Sequence, residues 1–165
     1  MATYGRLAAA RRDSGGFTLI ELMVVLAVFG IVTAIALPGL NKFLRSVELN
    51  GTVERMATSL RVIRQRAVTE NNNYIAVLGA SDNIAWWDDD DNDGVKDGTE
   101  KFGSNAAVPS WMTVTNDPLN PFASDTLTFA PNGSASQSGT LIFSNAEGYQ
   151  RTLSVIRPTG MVTVQ

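Results

Sequence analysis

Residues 15–40 read GGFTLIELMVVLAVFGIVTAIALPGL, and this stretch decides the architecture. From Phe17 to Leu40 only Glu21 is ionisable among 24 residues. At about 1.5 Å per residue, a helix of that length crosses the roughly 30 Å hydrocarbon layer of a bilayer. Upstream, Arg6, Arg11 and Arg12 stand against Asp13 alone. The positive-inside rule then places the N-terminus on the cytoplasmic side and residues beyond about 40 across the membrane. Glu21 is the residue that needs explaining. A carboxylate near the start of a span costs at least about 2–3 kcal/mol unless a partner neutralises it. An ordinary signal anchor leaves it unexplained. A cleaved secretory signal fits poorly, because no small-x-small site follows the apolar run.

Working outward, residues 41–70 continue as NKFLRSVELNGTVERMATSLRVIRQRAVTE. Val53, Met56, Ala57, Leu60, Ile63 and Ala67 recur at spacings of three and four, which predicts one apolar helical stripe. Arg55, Arg61, Arg64 and Arg66 fall mostly off it and read either as a solvated face or as a subunit contact. Asn71-Asn72-Asn73 predicts the helix end. Beyond it the period changes to strand alternation at Tyr74–Leu78, Asn83–Trp87, Trp111–Thr115, Thr126–Ala130, Thr140–Ser144, Arg151–Ile156 and Met161–Val164. The first two read as a hairpin turning near Gly79–Asp82. The stretch from about 100 to 125, with three prolines, reads as an irregular loop. One long helix followed by short consecutive strands predicts an α+β fold, with antiparallel sheet packed on the helix. The divisions expected are 1–16, a leader; 17–40, a transmembrane helix half; 41–72, an amphipathic helix half; and 73–165, a β-rich globular domain.

The segment Gly15-Gly16-Phe17-Thr18-Leu19-Ile20-Glu21 resembles the class III signal of type IV prepilins. There a short basic leader ends in Gly, followed by Phe and, four residues later, Glu. The resemblance implies cleavage by a prepilin peptidase between Gly16 and Phe17, with methylation of the new Phe17 amine. It also implies that Glu21 pairs with the N-terminal amine of a neighbouring subunit. A buried carboxylate and a buried ammonium, each costly alone, are tolerable together, and a slipped subunit would leave both unpaired. Pro38, followed by Gly39, matches a proline common in pilins. It reads as a flexible point in the helix, as the end of the membrane span, or as both. The C-terminal run FAPNGSASQSGTLIFSNAEGYQRTLSVIRPTGMVTV is similar to that of the type II secretion protein H/FimT family. The two resemblances together cover residues 14–70 and 126–164 and imply a pilin-like fold. The implied partners are other pilins or pseudopilins, and the implied location is the bacterial inner membrane, with the C-terminal domain periplasmic, and then a pilus or pseudopilus.

Composition narrows the chemistry. The 165 residues include no cysteine and no histidine, which excludes disulfides, Ser-His-Asp catalysis and histidine-ligated zinc. The chain therefore reads as a structural subunit and not an enzyme. Its charge of −3 becomes about −5 once residues 1–16 are set aside, which argues against non-specific nucleic-acid binding. The alternative function is a FimT-like minor pilin that captures DNA. Members of that kind carry a basic C-terminal segment, whereas this chain ends GMVTVQ with only Arg151 and Arg157 nearby.

Residues 88–100 read DDDDNDGVKDGTE. With Gly94 at the sharp turn, a calcium-loop template places Asp89, Asp91 and Asp93 at positions one, three and five, and Glu100 at twelve. Val95 would give its carbonyl, and Asp97 would act directly or through water. Lys96 departs from the apolar residue usual at position eight, and no helices flank the loop, so this would be a lone site. Five carboxylates within six residues repel strongly, and hard oxygen ligands favour calcium. The other reading is a solvated acidic loop. Alternation points Trp86 and Trp87 to opposite faces, one toward the core. The other is open to a cover by the loop, a neighbouring subunit or, less in keeping with the acidic loop, stacked nucleic-acid bases.

Overall fold

The computed structural model describes residues 16–78, 84–98, 100–105 and 108–165. The leader before Gly16 and the hairpin turn expected at Gly79–Asp82 lie outside the described residues. Helix α1 (Leu19–Glu70) is 52 residues long and contains Pro38. The chain divides into two compact units, one ending at Leu40 and the other spanning Asn41–Gln165.

In the first unit every residue from Phe17 to Leu40 is exposed except half-buried Thr33, whose hydroxyl donates to the Phe29 carbonyl. The apolar side chains there are exposed on every side of the helix, as expected of a segment whose solvent is lipid or other helices.

In the second unit α1 behaves as an amphipathic helix. The six stripe residues expected from the sequence are all buried, joined by Leu49 and Thr52. The helix stops at the asparagines. Asn71 adopts a left-handed φ of 51° and the Asn72 amide donates back to the Ala67 carbonyl at 3.2 Å, the geometry that satisfies orphan carbonyls at a helix end. The strands are β1 (Asn73–Val77), β2 (Ile84–Asp89), β3 (Phe102–Asn105), β4 (Met112–Asn116), β5 (Thr126–Phe129), β6 (Gly139–Asn145), β7 (Gln150–Ile156) and β8 (Met161–Val164). The sequence anticipates antiparallel sheet on the helix, and there are two sheets. One has the order β3-β2-β1-β5, the other β4-β6-β7-β8, each antiparallel throughout. Val53, Leu60 and Ile63 of α1 share one core with Tyr74 and Phe129 of the first sheet and Phe143 and Leu153 of the second.

Two expectations are corrected. The span read as an irregular loop holds β3, whose Gly103, Ser104 and Asn105 are poor strand formers; pairing with β2 overrides that preference. Of the helix arginines, Arg55 and Arg61 are exposed as a solvated face implies, whereas Arg64 and Arg66 are half-buried against the domain. Arg61 donates to the Val162 carbonyl at 3.1 Å and Arg64 to that of Gly133 at 2.8 Å, while the Arg66 guanidinium lies 4.6 Å from the Trp86 ring centre. Arg45 pairs with Glu147 at 2.7 Å. These side chains fasten the helix to the domain, Arg61 and Arg64 through backbone carbonyls, Arg45 through a carboxylate and Arg66 through a ring. The Arg64 contact needs glycine at 160. There φ is +58°, and a Cβ would lie 2.2 Å from the Gly133 carbonyl oxygen and 2.9 Å from Arg64 Nε.

Candidate functional site

Two regions hold the residues singled out by the sequence. At the start of α1, Phe17 is 92% exposed, and nothing lies within 4 Å of where a Gly16 Cβ would stand. Thr18 caps the helix. Its hydroxyl accepts from the Glu21 amide at 3.2 Å, and the Glu21 carboxylate accepts from the Thr18 amide and hydroxyl, both at 2.9 Å. This is a capping box, in which two orphan amide donors are satisfied reciprocally. The Thr18 amide belongs to the Phe17–Thr18 peptide, so the box survives a cut before Phe17. Sequence reasoning assigned Glu21 only an external cation; the Thr18–x–x–Glu21 spacing was the available signal for its internal partner.

The second region is the acidic loop that leaves β2. One carboxylate oxygen each from Asp89, Asp91 and Asp93 lies within 4.8 Å of the others. The backbone holds them there: Gly94 turns at φ +77°, and its amide donates to Asp89 Oδ1 at 3.0 Å. The Asp93 amide donates to Asp91 and the Val95 amide to Asp93. Asp97 and Glu100 fall outside this triad and are joined to each other, the Asp97 amide donating to Glu100 Oε2 at 2.9 Å. Glu100 is 7% exposed, and its other oxygen is buried without a hydrogen-bond partner. The Lys96 ammonium sits 3.6 Å from the centre of the Phe102 ring. The arrangement offers hard, anionic oxygen ligands of the kind that hold a calcium ion.

The loop is stapled to the end of α1, which the sequence did not reveal. The Asn72 side chain donates to Asp90, and that of Asn73 to Asn92. Lys101 bonds Glu70 at 2.8 Å and lies 3.4 Å from Asp88, a strand residue only 1% exposed. The Lys101 bond holds the Glu70 carboxyl below the usual carboxylate range, and Glu70 in turn pushes the Lys101 ammonium up. Burial, followed by the nearby negative charge of Glu70, pushes the Tyr74 phenol, whose hydroxyl is buried without a hydrogen-bond partner, up to about 12. Trp87 is the buried tryptophan of the pair. Trp86 is half-buried between Tyr74, Arg66 and β3, so no open stacking platform exists at that residue.

Comparison with known proteins bears on both regions. The prokaryotic N-terminal methylation motif matches residues 11–37, and the type II transport protein GspH matches residues 52–160. The chain belongs to the GspH family. Type II secretion system protein H of Pseudomonas aeruginosa is 38% identical to this GspH-family chain over 63 residues, a stretch covering 38% of the chain and 37% of that relative. Two solved structures share the fold. The minor pseudopilin EpsH from the type 2 secretion system of Vibrio cholerae gives a TM-score of 0.54 at 10% identity, covering 72% of this chain and 96% of that one. The type IV minor pilin FimU of Pseudomonas aeruginosa gives 0.55 at 17% identity, covering 74% and 92%. The GspH-family chain thus joins a methylation motif to a long helix on antiparallel sheets, the fold of both structures.

The raised phenol gives a test of the helix-end cluster in this GspH-family chain. A group whose folded pKa is raised keeps its proton longer folded than unfolded, so stability is lost as pH rises from about 10 to about 12. Alkaline absorbance titration of the folded chain should show a phenol ionising near 12 that is missing in Tyr74→Phe. A chain whose tyrosines all ionise near 10 would contradict the burial described for Tyr74.

Proposed function

We propose that this GspH-family chain is a minor pseudopilin cut between Gly16 and Phe17 by a prepilin peptidase and methylated on the new amine. In this reading residues 17–40 sit in the inner membrane, the second unit is periplasmic, and α1 carries the subunit into a type II secretion pseudopilus. Its role is structural and not enzymatic. The observation that carries the proposal is the pairing of a matched methylation motif with an uncovered apolar helix whose one carboxylate is Glu21. A carboxylate has about four acceptor sites, and the Thr18 cap uses two donors. Glu21 therefore holds its own helix end and still has capacity for the Phe17 ammonium of a neighbour. Pro38 removes one backbone bond in the helix, which supplies a flexible point during packing. A type IV pilus is the alternative destination. DNA capture is not adopted, because Arg151, one of the two cations near the C-terminus, bonds Asn50 at 2.6 Å. Intact mass of the protein from its own host should correspond to a chain starting at N-methyl-Phe17, recovered in pseudopilus fractions. Gly16→Ala should retain the leader and stay out of them. A mature wild-type chain that keeps Met1–Gly16 would remove the proposal.

We further propose that the acidic loop binds calcium. The triad of Asp89, Asp91 and Asp93 supplies three ligands. Glu100, with its buried and unpartnered oxygen, closes the site together with Asp97 and the Val95 carbonyl. A ligand that binds only the folded state at a hundredfold excess over Kd stabilises it by about 2.7 kcal/mol. For a domain of this size that raises the melting temperature by on the order of 10 °C. Melts of the mature chain in detergent should show that rise with calcium, little with magnesium at equal ionic strength, and none in Asp91→Asn or Glu100→Gln. Equal effects of the two ions would leave a solvated acidic loop.

A further inference from the structure

The acidic loop connects β2 to β3, and among the described residues β3 is a four-residue edge strand that pairs with β2 alone. Such a strand has little of its own to hold it, since two of its residues are glycine and serine. What lies on it is Trp86. A Cβ added at Gly103 would stand 2.5 Å from the Trp86 ring, so the bare backbone of β3 rests directly on the indole. Arg66 of α1 stacks on the same ring, and Tyr74 lies 5.9 Å from it. The strand is thus one part of a stack that includes the last turn of the helix.

The loop is also pinned to that helix end at both of its margins. Near its start are the bonds from Asn72 to Asp90 and from Asn73 to Asn92. At its close, the Lys101 carbonyl accepts from the Asp88 amide at 3.0 Å, while the Lys101 ammonium bridges Glu70 and Asp88. Five carboxylates crowd residues 88–93. Their repulsion acts on every one of these attachments, because the residues that repel are those that are pinned or their immediate neighbours. A divalent ion in the triad offsets part of that repulsion and draws Glu100, directly before Lys101, toward Asp89.

We propose that occupation of the loop latches β3 over Trp86 and fixes the loop to the C-terminal end of α1. The state of the cation site is then transmitted to the helix that carries the subunit into a filament. This rests on the calcium reading above and adds what calcium controls. The latch is a local order change with a two-state element, the β3 edge and its attachments, biased by a single charge event. Its consequence is a domain whose helix end and first sheet are firm only where calcium is plentiful.

The test uses the mature full-length chain in detergent, with two separate readouts. Terbium emission sensitised by the adjacent tryptophans reports binding, and its loss on adding calcium reports competition for the same site. Amide hydrogen exchange reports the latch. Calcium should slow exchange at least tenfold at residues 102–105 and at 68–74, as well as within the loop, relative to EDTA or magnesium. Glu100→Gln should abolish both terbium emission and protection. Gly103→Ala should keep terbium emission but lose the calcium-induced protection of 102–105, because its Cβ lifts the strand off Trp86. Binding with protection confined to 88–100 would overturn the latch and leave the calcium site standing. An absence of terbium emission and calcium-induced protection would overturn the calcium reading and the latch with it.

Discussion

One helix has to satisfy two solvents. Up to Leu40, α1 is apolar around its circumference apart from Glu21, and its side chains are exposed apart from half-buried Thr33. From Leu49 onward the same helix buries a single stripe and turns the rest outward. The backbone of a membrane helix must satisfy its own hydrogen bonds within the segment, which explains why the boundary between the two regimes falls inside the helix and not at a loop. The soluble half is held by a core drawn from both sheets, and by Arg61 and Arg64, which reach beyond the stripe to the carbonyls of Val162 and Gly133.

Within the exposed apolar half, Glu21 is the one ionisable residue and the one to explain. An acid in an apolar helix is tolerated only with donors, and its first donors come from its own cap through Thr18. The capping box therefore lowers the cost of a carboxylate in an apolar helix, and in the proposed assembly its remaining acceptor capacity would serve a neighbour. A helix with two apolar ends would bury equally well in many axial registers. A single carboxylate matched to a single ammonium selects one.

Much of this was legible in the sequence because its signals are periodic or steric. The stripe from Val53 to Ala67 could be read from its spacing, and the helix end from three consecutive asparagines, one of which takes the left-handed conformation. Most strands lie within a residue or two of their expected limits. β3 was not legible, because Gly103-Ser104-Asn105 has no strand preference of its own and exists by pairing with β2. The division into two sheets was equally hidden, since alternation says which residues face a core but not which strands are neighbours. In the acidic loop the template residues were readable from spacing alone, and the structure gathers Asp89, Asp91 and Asp93 as that spacing implies. The staples from Asn72, Asn73 and Lys101 join residues 18, 19 and 31 positions apart, and no local pattern announces such contacts.

The central claim is that the subunit assembles through α1, with Glu21 setting its register against the amine of a neighbour. The most direct measurement is the fate of Glu21→Ala expressed beside the wild-type partners in the native host. The account predicts a chain that is cut after Gly16, inserted in the membrane and folded, yet absent from isolated filaments or tip complexes. Incorporation of that variant at the wild-type level would contradict it.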